Sequence, residues 1–577
     1  MKLSFTQIMS GIVAAVAGGV VALTAAGRAP VAESSCVELL LAPREVKGQR
    51  VGPTACRMQQ VEATIGGRGY TRIDVGVDGT VEGYLSKTGS LRGYLTNAPD
   101  LAFPQSADPG PIYHAVATYE GAKGASMTIA FPRDPGAWNG KMWVTAHGAG
   151  MAYRNGQGNL RPWDKNLDTS NPGTGFNPVE EVMLAKGYAV VKTRRSTPQS
   201  VAERAETPGV QRDPQGEIPA RLEDGSTIAY ASFNENARYV MDFTLIAKNI
   251  VAKQLGRAPS RTYLTGHSAG ARVARTINYT PGLNKVGGRP VFDGFLPIDS
   301  ATGLWLPIVL KNGKDVLFAT EAERAEFVPQ IDVSHQMYSR VTHSATSDPT
   351  WPPKRPEWVG ASYLASKRSN ARLLREKGLQ DKHRMYEIRG VSHSGGGAGI
   401  RHEWLMEGYI DLLDTWVEKS VAPPPTRSDW APLGDTDRDG NIEYPAVALP
   451  QMACPRGDYH LANAGAGSIV LAEYTGSGME PLYPGPGNQA FVDMNRNGVW
   501  DERETIAEAW VRMGLLKRGE SLTREKYTAC TQAAVDVLRK DRLISEKTAA
   551  ELVAAARTDD LQPKPPGSMV TPTDGRK

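Results

Sequence analysis

The stretch LTGHSAGAR, residues 264 to 272, sets one serine in a context that can make it a nucleophile. Ser268 has a glycine two residues before it and another two residues after it. The apolar run RTYLTG ends just ahead of the serine, and ARVARTINY, which can begin a helix, follows. A sharp strand-to-helix turn pushes a hydroxyl out beyond a sheet edge, and the glycines relieve its crowding. A serine hydroxyl attacks a carbonyl only when a base takes its proton. His393, in VSHSGGG after the strand-like RMYEIRG, is the expected base, with His402 as its competitor. VTAHGAG, residues 144 to 150, follows a third apolar run and reads as an oxyanion loop. Backbone N–H groups of Gly148, Ala149 and Ala269 would hold the oxyanion, where losing one donor costs ~3 kcal/mol.

These residues need a scaffold that brings several strand ends to one edge. From Trp138 onward strands and helices alternate: KMWVTA, then the helix PVEEVMLAKG, YAVVKT, the long helix NARYVMDFTLIAKNIVAKQLG, and RTYLTG. DGFLPID, FVPQIDVS and RMYEIRG continue the strand series, and EWLMEGYIDLLDTWVEK closes it as a helix. This alternation predicts an α/β fold, a mostly parallel sheet with helices on both faces. Residues 33–135 read as a β-rich N-terminal region, and 136–425 as the catalytic domain. A lid-like insertion is expected over 303–384, where Trp305, Trp351 and Trp358 could stack on a substrate or fill a core. After the Pro-rich joint at 421 to 434, residues 426–560 read as an accessory region ending in a helical tail, and 561–577 as a disordered tail.

At this point the chain resembles the α/β-hydrolase superfamily of serine esterases. The nearer likeness is to secreted bacterial α/β-hydrolase-domain proteins, with a weaker one to tannase and feruloyl esterase enzymes. It rests on PGAWNGKMWVTAHGAG, LAKGYAVV, GHSAG, GVSHSGG, DRDGNIEYPAVALPQMACPRGDYH and RLISEKTAAELVAAA. The resemblance implies a Ser-acid-His triad and hydrolysis of carboxylic esters. Such families usually carry the acid just after the strand that here is FVPQIDVS, where this chain reads His335-Gln336-Met337-Tyr338. Asp299, ending the preceding strand DGFLPID, is therefore the first candidate. Asp332 in mid-strand, Asp348 or another carboxylate are the alternatives, and Asp332 also reads as a buried structural group. An amidase or acyltransferase using the same triad, or a decayed hydrolase fold that only binds ligands, are the rival functions.

FVDMNRNGVWDERE places Asp493, Asn495, Asn497, Asp501 and Glu504 at positions 1, 3, 5, 9 and 12 of an EF-hand-type loop with Gly498 at position 6. A structural Ca2+ is expected there and no cofactor for catalysis. DTDRDGNIE at 435 to 443 carries Asp435, Asp437 and Asp439, but Ala446 falls at position 12, so it reads as an Asp-Gly turn.

The chain of 577 residues has 66 basic and 62 acidic residues, with no long basic run, which gives no support for a nucleic-acid partner. Residues 1–32 read as a signal peptide. The apolar run from Gly11 to Ala26 falls short of the ~20 residues that span a bilayer, and cleavage would follow Ala26 or Ala32. A secreted or periplasmic protein without a membrane span after cleavage is expected. Its four cysteines would then pair locally, Cys36 with Cys56 and Cys454 with Cys530, rather than remain buried thiols. The substrate would be a small-molecule or polymer-derived ester; nothing in the sequence fixes the oligomeric state.

Overall fold

The computed structural model describes residues 33–46, 49–86, 91–93, 112–119, 127–146, 176–193, 217–221, 227–231, 237–300, 309–311, 314–315, 318–335, 374–388, 403–427, 447–454, 458–459, 481–482, 507, 510–511, 514–559 and 561. Ten strands form the main path of a 12-stranded sheet. They are β1 (Glu33–Ser35), β2 (Pro53–Ile65), β3 (Arg68–Ser86), β4 (Met127–Pro132), β5 (Lys141–Ala146), β6 (Ala189–Thr193), β7 (Arg261–Ser268), β8 (Gly294–Ser300), β9 (Gln330–His335) and β10 (His383–Ile388). Their spatial order is β1-β2-β3-β4-β6-β5-β7-β8-β9-β10. The strands from β6 to β10 in that order are parallel, as the alternation of strands and helices predicts. Apart from a small hairpin of Arg44–Val46 with Gln49–Val51, the N-terminal strands do not form a sheet of their own. They extend the catalytic sheet antiparallel through the pairing of β4 with β6 and of β3 with β4.

Six helices matter for the site: α1 (Pro178–Ala185), α2 (Ala237–Leu255), α3 (Ala269–Tyr279), α4 (Glu403–Lys419), α5 (Arg524–Lys540) and α6 (Glu546–Ala556). Local signals set their ends. Asn177 and Glu180 form a capping box at the start of α1, and Gly187, at φ 84°, lets the chain turn back into β6. The helical tail divides in two where Arg542 adopts φ 57°, and Ser545 caps the second helix.

Central strands are apolar on both faces because the sheet has a core on each side. On β7, Tyr263 points into one core and Leu264 into the other. The first core holds α1, α4, α5 and α6, and the second holds α2 and α3. On α2, Met241, Phe243, Ile246, Ala247, Ile250 and Val251 are fully buried. Burial of each larger one contributes ~2 kcal/mol. On the other side α4 is pinned to the amino ends of β5 and β7, where Lys141 Nζ lies 2.7 Å from Asp414 and Tyr263 donates to the same carboxylate at 2.6 Å.

The segment 303–384 is not one continuous insertion over the sheet, because it contains β9, a central strand. Residues 309–311 and 314–315 instead join 217–221 and 227–231 in a separate four-stranded sheet. Beyond β10, Arg427 and Val447 make parallel bridges to Tyr386 and Ile388, so the accessory region continues the sheet edge. The expected cysteine pairs are both disulfides, Cys36–Cys56 and Cys454–Cys530. Among the described residues, no helix is long and apolar enough to cross a membrane.

Candidate active site

Because the central strands are parallel, the carboxyl ends of β5, β7, β8, β9 and β10 share one edge of the sheet. Ser268 closes β7 and Ala269 opens α3, so strand passes to helix with no residue between. The tightness of that turn shows at the flanking glycines. A Cβ on Gly266 would lie 2.4 Å from the carbonyl carbon and oxygen of Gly270 and 3.0 Å from the nitrogen of Ala271. Only glycine permits this approach of two backbones. As the first residue of a helix, Ala269 carries an N–H without an intrahelical partner, which suits an oxyanion donor.

Asp299 occupies a special place in the pairing of β7 with β8. The register runs Tyr263↔Gly294 through His267↔Ile298, and then jumps to Ser268↔Ser300. Asp299 is the extra residue of this irregularity. A bulge at a strand end re-aims side chains locally, and here it falls beside the serine.

Asp332 is fully buried, and among the described residues four hydrogen bonds reach its carboxylate. Arg275 Nε and Nη2 donate to Oδ1 at 2.9 and 2.7 Å. Gln330 Nε2 at 2.9 Å and His383 Nε2 at 2.7 Å reach Oδ2. A carboxylate offers about four lone-pair sites, and among the described residues these four donors already engage this one as a structural acceptor. Burial raises its pKa, but the Arg275 charge and the His383 hydrogen bond outweigh it and hold the carboxyl down at about 2. An ionised acceptor requires the proton on His383 Nε2.

The Asp332–His383 contact has the form of a triad pair, but His383 stands well short of the level of Ser268 in the sheet. Register places His383 beside Gln330, Gln330 beside Phe295 and Phe295 beside Leu264. Ser268 is four residues further along β7, ~13 Å at the usual strand rise. Sequence reasoning missed Arg275, Gln330 and His383 as partners of Asp332. The available signal was three polar residues at period two, Gln330, Asp332 and Ser334, alternating with the apolar Ile331 and Val333.

Thr145, near the end of β5, donates to Glu180 Oε1 at 2.6 Å, and Thr193 donates to the Thr145 carbonyl at 3.1 Å. Glu180 is itself buried and caps α1, so the end of β5 is tied to a helix start and to β6.

Several expected residues lie outside the described ones: Gly148 and Ala149, His393 and His402, Asp348, and Trp305, Trp351 and Trp358. The same holds for both acidic loops, including Asp493, Asn495, Asn497, Asp501 and Glu504. Along the chain, Gly148 follows the end of β5 by two residues, and His393 follows the end of β10 by five. Among the described residues, no three His, Cys, Asp or Glu side chains stand together as metal ligands.

Solved structures overlap with the chain at low identity. One is from work on two fungal esterases of Rhizomucor miehei, with 10% identity and TM-score 0.28, covering 64% of this chain and 87% of that one. Another is an acylaminoacyl peptidase of Pyrococcus horikoshii, with 10% identity and TM-score 0.27, covering 65% and 55%. Poly(aspartic acid) hydrolase-1 from Sphingomonas sp. KT-1 gives 14% identity and TM-score 0.28, covering 54% and 97%. TM-scores of this size carry no argument about activity. No curated protein matches the sequence. The model of the alpha/beta hydrolase domain matches residues 171–554, about two thirds of the chain. With the strand order and the β7–α3 turn already in place, that match makes this chain a member of the alpha/beta hydrolase domain family.

Proposed function

We propose that the protein is a serine esterase that cleaves carboxylic esters through an acyl-enzyme on Ser268. The observation that carries this reading is the placement of Ser268 at the direct junction of β7 and α3. In the reaction His393 takes the hydroxyl proton as Oγ attacks the ester carbonyl. N–H groups of Gly148, Ala149 and Ala269 receive the oxyanion. The imidazolium then gives its proton to the departing alcohol. Water, deprotonated by the same imidazole, releases the acid and restores the serine. Asp299 is the acid that orients the imidazole. The register irregularity beside Ser268 favours it, as does the engagement of Asp332 with Arg275, Gln330 and His383.

Matched ester and amide substrates with the same acyl group test the reaction class. Faster turnover of the ester, with a covalent acyl adduct on Ser268, is the expected result. Preferential amide cleavage would make the protein an amidase, transfer to added alcohols in preference to water an acyltransferase, and no turnover of any acyl compound a binding protein.

Two properties belong to the same reading. The protein works outside the cytoplasm, in line with its two disulfides. The loop from Asp493 to Glu504 holds a structural Ca2+, which serine chemistry itself does not need. Chelation should therefore lower Tm before it lowers activity. Lost activity at unchanged Tm would overturn the structural role.

A further inference from the structure

Helix α3 is anchored by a buried polar assembly that the hydrolytic chemistry does not call for. Arg275, Asn278 and Tyr279 stand at i, i+3 and i+4, on one helix face, and all three are buried. Two residues of β9 meet them, Gln330 and Asp332, which share a face because strand side chains alternate. Arg275 holds Asp332, Asn278 Nδ2 donates to Gln330 Oε1 at 2.9 Å, and Gln330 Nε2 donates to the Tyr279 hydroxyl oxygen at 3.0 Å. Asn278 also exchanges hydrogen bonds with the backbone of Val328, just before β9. His383 closes the assembly from β10 through Asp332 Oδ2.

An apolar contact would hold α3 against the sheet but would let it slide or roll by a fraction of an ångström. Directional bonds at three helix positions do not. Another face of α3 is apolar, with Val273, Ala274 and Ile277 buried in the core shared with α2. Orientation therefore falls to the polar face. Its object is the helix amino end, where Ser268 and the N–H of Ala269 sit, and its outer anchor is the strand from whose end the chain runs to His393.

We infer that Arg275, Asp332 and His383 are positioning residues that fix the nucleophile turn relative to the strand leading to the base. This rests on the reading of Ser268 as nucleophile. A displacement near 1 Å of reacting groups costs on the order of 100-fold in rate. Asp332→Asn keeps the shape but leaves Arg275 and His383 without the carboxylate. His383→Gln keeps a donor toward Oδ2 and loosens only the link to β10.

The test compares wild type, Asp332→Asn, His383→Gln and Leu552→Ala. The last lowers stability through α6, remote from α3. Each is assayed below its own Tm for ester turnover and for the rate of labelling by a fluorophosphonate. Asp332→Asn should lower kcat and the labelling rate on the order of 100-fold with KM within about two-fold. His383→Gln should lower them less, and Leu552→Ala should lower Tm while leaving kcat unchanged. Folded Asp332→Asn and His383→Gln proteins that label at the wild-type rate would reduce the assembly to a stabilising role. If Asp332→Asn does not fold, the His383→Gln rate decides alone. A wild type that is not labelled on Ser268 would overturn the nucleophile reading instead.

Discussion

Gly266→Ala would place a methyl carbon 2.4 Å from the carbonyl of Gly270, where no side chain can yield because both sides are backbone. The turn must open, and the expected outcome is loss of fluorophosphonate labelling together with lower Tm. Asp299→Asn tests a different link. It preserves size, so the fold should survive with Tm nearly unchanged, while kcat falls about 10⁴-fold if the carboxylate orients the imidazole. Steady-state kinetics with an ester and a thermal melt check both. Full activity of Asp299→Asn would remove that residue from the triad. At this scale the sequence was most legible where function imposes a backbone rule. G-x-S-x-G after an apolar strand announces a tight turn because only glycine allows the approach seen at Gly266. Asp332 was less legible. Its partners Arg275 and His383 are 57 and 51 residues away, and no local pattern reports a contact across that distance.

Helix α2 carries a partly buried lysine at the margin of the second core. Lys248 Nζ donates to the carbonyl of Val291 at 2.6 Å, and burial pushes its pKa down to about 8, with Asp293 acting weakly the other way. The unfolded chain has the ordinary lysine value near 10.5, so between about pH 8 and 10.5 it binds more protons than the folded protein. Stability should therefore rise with pH across that window and fall back as pH drops through 8, an effect of ~3 kcal/mol. Denaturant melts of wild type and Lys248→Met at pH 7 and pH 10 measure it. The wild type should gain on the variant at pH 10, and a constant difference would contradict the assignment. Helices and strands of the central unit were legible because each is bounded by a turn residue and carries a clear apolar period. The antiparallel extension by β1 to β4 was not, since alternation marks a strand without naming its neighbour. The four-stranded side sheet escaped for the same reason, as it joins residues 217–231 to 309–315.

On the scale of the whole molecule, the accessory region is docked on the catalytic sheet and cross-linked within itself. Arg427 and Val447 bridge to β10, the Cys454–Cys530 disulfide joins the segment after Val447 to α5, and α4 meets the loop between α5 and α6 so closely that a Cβ on Gly408 would lie 2.0 Å from the Leu543 carbonyl oxygen. The disulfide spans 76 residues, and removing a cross-link of that loop length costs about 4 kcal/mol in chain entropy. Cys454→Ser with Cys530→Ser should thus lower Tm by several degrees, and an unchanged melt would show that the region docks without it. All of this architecture serves one edge of the sheet, and the claim at its centre is an activated serine. The most direct measurement is fluorophosphonate labelling of the purified protein, read by intact mass and peptide mapping, beside Ser268→Ala. A single adduct on Ser268, absent from the variant, is the expected result; a folded protein that takes no adduct, or takes one at another residue, would contradict the account.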